Sequence, residues 1–132
     1  MAENTKKRYC VDASYMLAFL LPDERESEVA RIFEEYALHK NELVTTTLLK
    51  YEVSNALWSA VKRKRLSSRN AHNLLKAFGE LEIAEHDVSA EELFESASSN
   101  KLSCYDASYL VLSKKTHSQL LSLDVELLKA FR

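Results

Sequence analysis

Four acidic residues, Asp12, Glu52, Asp106 and Asp124, stand where an ordinary core would not place them. Asp12 follows Tyr9-Cys10-Val11, and Asp124 follows Leu120-Leu121-Ser122-Leu123, so each closes a short strand-like run. In open parallel sheets ligands bind outside the carboxyl ends of the strands, which is where both acids would then lie. Asp106 opens a helical segment that is apolar nearly all round (Ala107, Tyr109, Leu110, Val111, Leu112) and ought to be buried. Glu52 sits in a longer helical pattern whose Leu49, Val53, Ala56, Leu57 and Ala60 form one apolar face. With Asn55 and Ser59 it makes a polar stripe beside that face.

Each acid has an ordinary alternative. Asp12, Asp106 and Asp124 could simply cap the helices they precede, where a negative charge suits the helix dipole. Glu52 lies among Leu48, Leu49, Tyr51, Val53, Leu57 and Trp58, so it needs either a narrow solvated stripe or a partner. If the four converge, their repulsion at neutral pH must be relieved by protonation or by cations. A set of oxygen donors without His or Cys in the pattern favours a hard ion, Mg²⁺ or Mn²⁺. Such an ion holds a phosphodiester, lowers the pKa of a water and stabilises a leaving oxygen.

The elements that must position these acids alternate in type. Short β-branched or apolar runs at Arg8–Val11, Glu42–Thr45, Leu81–Ala84 and Gln119–Leu123 are each followed by longer helical patterns. Helices are expected at Ala13–Leu20, Glu24–His39, Thr47–Lys64, Ser68–Gly79, Ala90–Ser98, Asp106–Thr116 and Val125–Phe131. Ser67 is a candidate cap, Ser89 and Glu92 have capping-box spacing, and Gly79 stands at a helix end. Strands alternating with helices imply an α/β fold: a three-layer α/β/α sandwich around a mostly parallel sheet of four to five strands. No linker or low-complexity tract divides the chain, so residues 1–132 read as one domain.

Composition narrows the function classes. The 132 residues contain one Gly and one Pro, which excludes glycine-rich phosphate loops and loop-dominated folds. A net charge of −2 supplies no global field for nucleic acid or an anionic membrane, so nucleic-acid binding must depend on a local patch. The candidate patch is Lys62-Arg63-Lys64-Arg65 with Arg69, read as a contact to RNA phosphates or to an acidic partner segment, or as a solvated helix end. The apolar run Tyr15–Leu21 is too short to span a bilayer, and Asp12 interrupts any leader-like stretch; the expected location is the cytoplasm. Cys10 and Cys104 read as buried thiols in a reducing compartment. His39, His72, His86 and His117 are scattered and read as surface positions. Tyr51, Trp58 and Val61 lie off the main apolar face of their helix, which suggests burial between layers or, preferably, a dimer face.

The ordered pieces Val11-Asp12-Ala13-Ser14, Tyr51-Glu52-Val53-Ser54-Asn55-Ala56-Leu57, Tyr105-Asp106-Ala107-Ser108-Tyr109 and Leu120-Leu121-Ser122-Leu123-Asp124 carry a further signal. Together they make the chain resemble PIN-domain ribonucleases of the VapC toxin type over nearly its whole length. The resemblance implies an acidic metal site of Asp12, Glu52, Asp106 and Asp124, which would hold Mg²⁺ or Mn²⁺ and hydrolyse RNA phosphodiester bonds as an endoribonuclease. Asp124 would complete the site directly or through water. Ser14 would orient the Asp12 loop, Ser122 would stand near the last acid, and Asn55 would supply a polar group one turn after Glu52. The resemblance further implies a homodimer and neutralisation by a small cognate antitoxin, with no membrane partner. Alternatives are a non-catalytic PIN-like binding module and a PIN nuclease of RNA maturation without an antitoxin. A phosphoryl-receiving domain would need paired acids after the first strand and a late Lys. A haloacid-type phosphatase would need an Asp where Ser14 stands.

Overall fold

The computed structural model describes residues 6–132, so residues 1–5, the start of the leader-like stretch, lie outside the described residues. Four strands form one sheet in the order β3-β2-β1-β4. They are β1 (Lys7–Val11), β2 (Asn41–Thr46), β3 (Ala84–His86) and β4 (Gln119–Leu121). Every pairing is parallel: Cys10 is opposite Val44 and Leu120, and Val44 is opposite Ala84. Seven α-helices are present among the described residues: α1 (Ala13–Leu20), α2 (Ser27–Ala37), α3 (Leu49–Lys62), α4 (Ser68–Glu80), α5 (Ala90–Asn100), α6 (Cys104–Lys115) and α7 (Val125–Phe131).

Alternation along the strands divides the core in two. Tyr9 and Val11 of β1, Leu43 of β2 and Leu121 of β4 pack with α1–α4 on one face. Cys10, Val44 and Leu120, the intervening residues, pack with Leu110 and Leu112 of α6 and Leu127 of α7 on the other. The strands are covered on both faces at Tyr9, Cys10 and Val11, at Leu43 and Val44, and at Leu120 and Leu121, which is why those stretches are apolar at successive positions. The result is the expected α/β/α sandwich with four parallel strands.

Four expected elements differ. The strand expected at Gln119–Leu123 ends at Leu121, so Ser122 and Leu123 form the loop that leads to Asp124. The helix expected at Glu24–His39 is divided into a 3₁₀ turn at Pro22–Glu24 and α2. Arg25 and Glu26 are extended there, the Arg25 guanidinium donating to the Phe19 carbonyl at 2.8 Å and lying over the Phe19 ring. The strand expected at Leu81–Ala84 begins only at Ala84. Leu81 and Ile83 pack into the core instead of pairing, and Glu82 takes the left-handed φ of 50° that turns the chain toward the sheet edge. Gly79 does not terminate α4, which runs on to Glu80.

The Ser67 cap and the Ser89–Glu92 capping box both form. Cys10 is buried, whereas Cys104, expected to be buried, is exposed because it begins α6 at the surface; both thiols are free. All four histidines are exposed. No helix among the described residues is long and apolar enough to cross a membrane.

Candidate metal centre

The carboxyl edge of the sheet is assembled first by β1 and β4. Val11 is opposite Leu121, and the Asp12 N–H continues the ladder by donating to the Leu121 carbonyl at 3.2 Å. This brings Asp12 and the first turn of α1 beside the loop Ser122–Asp124. Asp12 Oδ1 accepts from the Ser14 hydroxyl at 2.7 Å and from the Tyr15 N–H at 2.9 Å. The Ser122 hydroxyl donates to Oδ2 at 2.5 Å. The serines are held in turn: Leu123 N–H donates to Ser14 Oγ at 2.8 Å, and Asp124 N–H to Ser122 Oγ at 2.9 Å. Asp12 is only 5% exposed, so this donor set satisfies a carboxylate that water scarcely reaches.

Asp12 and Asp124 do serve as helix caps. Asp12 caps α1 through Tyr15, and Asp124 caps α7 by accepting from the N–H groups of Glu126 and Leu127 on Oδ1. Asp106 does not. Ser103 occupies the cap position of α6 and accepts from the Asp106 N–H at 3.0 Å, leaving the Asp106 carboxylate free of that duty. Glu52 lies inside the first turn of α3, half-buried, and its Oε1 accepts a 2.5 Å hydrogen bond from the Tyr109 hydroxyl.

The electrostatics join the acids into one cluster. Burial pushes the Asp12 carboxyl above the usual range despite its three hydrogen bonds, and the Asp106 charge adds to this. Glu52 is raised by burial and by the charges of Asp106 and Asp12, its bond to Tyr109 acting in the opposite sense. Asp106 is raised by burial and by the charge of Asp124. No cation contributes to any of these three shifts. The same burial, together with Glu52, holds the Tyr109 phenol far above its usual range, so it stays a proton donor.

A hard divalent ion would suit this set, whose side-chain donors are all oxygen. Among the described residues, however, no three His, Cys, Asp or Glu side chains stand in direct ligating geometry for one ion. The two observations are compatible because charges interact well beyond coordination distance. Mg²⁺ retains several waters and commonly uses only one or two carboxylates, so the residues fit a hydrated ion.

The other expected positions are distributed as follows. Ser14 and Ser122 join the Asp12 network, as described. Asn55 is exposed on α3, and no hydrogen bond reaches its side chain among the described residues. Lys62, Arg63, Lys64, Arg65 and Arg69 are all exposed around the end of α3 and the turn into α4. Arg63 and Arg65 line a groove of about 440 Å³ whose apolar side includes Leu17, Leu21, Leu57 and Leu66. Tyr51 and Trp58, at 66% and 56%, are exposed instead of lying between layers, and Val61 packs against the core. Sequence reasoning missed Tyr109, which read as one more apolar residue of α6. Its signal was the i, i+3 spacing from Asp106 and a hydroxyl that needs a partner once buried.

The fold and the sequence have counterparts among known proteins. The family model for the PIN domain matches residues 9–131, and the chain belongs to that family. Ribonuclease VapC3 of Pyrobaculum aerophilum is 32% identical over 125 residues, covering 92% of each chain. Exonuclease VapC9 of the same organism is 30% identical over 124 residues, 91% of this chain and 83% of the relative. The crystal structure of PAE2754 from Pyrobaculum aerophilum shares the fold, with a TM-score of 0.70 at 23% identity over 98% of this chain and 89% of that one.

Proposed function

We propose that the chain, acting as a single domain, is a divalent-metal-dependent endoribonuclease and the toxin of a toxin–antitoxin pair. The observation that carries this reading is the group of three acids, Asp12, Glu52 and Asp106, raised by burial and repelled by like charge without a compensating cation. Such a group is relieved by binding a cation, and Mg²⁺ or Mn²⁺ suits its oxygens. The names of the two relatives, a ribonuclease and an exonuclease of VapC type, support a nuclease and its toxin setting.

When bound, the ion supplies an activated water and stabilises the departing 3′ oxygen, so that hydrolysis leaves a 5′-phosphate. Asp12, Glu52 and Asp106 would hold the ion, in part through its retained waters, and Asp124, one oxygen already occupied as a cap, would complete the site directly or through water. Ser14 and Ser122 hold Asp12 in place. Asn55 lies one turn along α3 from Glu52, within reach of an RNA strand entering the site.

The basic run Lys62-Arg63-Lys64-Arg65 with Arg69 contacts RNA phosphates or an acidic segment of the cognate antitoxin. It begins about 15 Å along α3 from Glu52, ten residues at 1.5 Å each. A homodimer that covers Tyr51 and Trp58 accounts for the exposure of two large aromatics on one helix face. The protein works in the cytoplasm.

Incubation with one RNA in linear and in circular form, with Mg²⁺, Mn²⁺ or EDTA, tests the reading. Cleavage of both forms that stops in EDTA is expected. Degradation of the linear form alone would make the chain an exonuclease. A folded protein that leaves several RNAs intact with either metal would favour a binding module.

A further inference from the structure

We propose that Tyr109 is a positioning residue for the metal site, tying Glu52 Oε1 so that Oε2 is the oxygen left to meet the cation. The inference rests on the metal-dependent reading of the acidic cluster.

Tyr109 is 1% exposed, and its hydroxyl donates to Glu52 Oε1 at 2.5 Å with the Thr46 side chain beside it. A buried tyrosine hydroxyl needs an acceptor, but a backbone carbonyl would serve that need as well. Here the acceptor is instead a carboxylate that feels the charges of both Asp12 and Asp106. No second hydrogen bond reaches Glu52 among the described residues, so Tyr109 is the one hydrogen-bond partner that orients a half-buried side chain with three rotatable bonds.

The placement is also economical in elements. Asp106 and Tyr109 lie one turn apart on α6, and Glu52 lies on α3. Helix α6 thereby supplies one acid itself and fixes the orientation of a second from another helix. Partners that orient ligands in this way commonly change metal affinity ten- to a hundredfold when removed.

The test is calorimetric titration of Mn²⁺ into wild type, Tyr109→Phe, Glu52→Gln and the double variant, beside thermal unfolding of each without metal. Tyr109→Phe removes one oxygen and keeps the ring. Its Mn²⁺ affinity is expected to fall about tenfold, with no further fall when the same change is made in Glu52→Gln. A residue that only supports the fold would lower the unfolding temperature and leave the affinity unchanged, and that result would overturn the proposal. So would an equal loss with and without Glu52.

Should Tyr109→Phe fail to fold, Tyr109→Met reads the same bond, because it removes the hydroxyl, leaves Glu52 untouched and adapts to the space left by the ring. Wild-type affinity in that variant overturns the proposal, and a comparable loss supports it. A wild type that binds no Mn²⁺ would remove the metal reading together with this one, an outcome distinct from a variant that matches a binding wild type.

Discussion

Asp12 and Glu52 contribute to one cluster but are held in opposite ways. Both oxygens of Asp12 accept hydrogen bonds, from two serines and a backbone N–H, and the serines are fixed by the backbone of the loop after β4. Glu52 depends on one bond from a tyrosine on another helix. The first carboxylate is built by strand pairing and two adjoining loops, the second by helix packing. If the cluster holds an ion as proposed, a rigid group at the strand ends and a less restrained one on α3 would keep one ligand fixed while another adjusts.

Removing the supports of Asp12 is the strongest way to break this comparison short of removing an acid. Ser14→Ala with Ser122→Ala should lower metal affinity and cleavage by about ten- to a hundredfold, a loss larger than that from Tyr109→Phe. Metal titration and single-turnover cleavage measure it. Equal losses at the two ends would mean that Asp12 is no better fixed than Glu52.

Asp124 sharpens the comparison because capping and ion binding can be separated there. Asn is as good a helix cap as Asp, whereas Ala is not. Asp124→Asn should therefore reduce cleavage and leave stability near wild type, and Asp124→Ala should also destabilise by about 1 kcal/mol. Denaturant unfolding beside a cleavage assay distinguishes the two. Unchanged cleavage in Asp124→Asn would leave Asp124 a cap and nothing more.

The smallest effect concerns pH. Asp12, Glu52 and Asp106 have folded pKa values above their unfolded ones, so over that interval the folded chain binds more protons than the unfolded chain. Their contribution to metal-free stability is fully present below the ordinary carboxylate values and is lost as pH rises through the raised ones. The metal-free protein should gain a few degrees in unfolding temperature when the pH is lowered from neutral into that window. Saturating Mn²⁺ should diminish the gain, because the ion relieves the same repulsion at neutral pH. Thermal scans with and without Mn²⁺ provide the measurement.

The two holding modes also explain what could be read from the sequence. Asp12 and Asp124 were expected to close apolar runs, and their approach at one edge follows once those runs are neighbouring parallel strands, whereas Ser122, expected inside the last strand, lies just beyond its end at Leu121. The bond from Tyr109 to Glu52 left no such trace, because helix packing across many residues is invisible to local periodicity. The cap at Ser103 was missed for a related reason: Asp106 and Ser103 both suit a helix start, and only the structure separates the capping residue from the free acid. The divided helix near Arg25 and the shifted β3 were hidden because a side chain bonding back to the preceding helix, and apolar residues packing instead of pairing, override the local pattern.

The central claim is that the clustered acids make a metal-dependent RNA-cleaving centre. The most direct test is cleavage of a mixed RNA substrate by wild type, Asp12→Asn and Asp106→Asn, each with Mg²⁺ or Mn²⁺ and with EDTA. Wild-type cleavage that requires the metal and falls by about a thousandfold or more in both variants is the expected result. Cleavage that persists in EDTA, or in either folded variant, would contradict it.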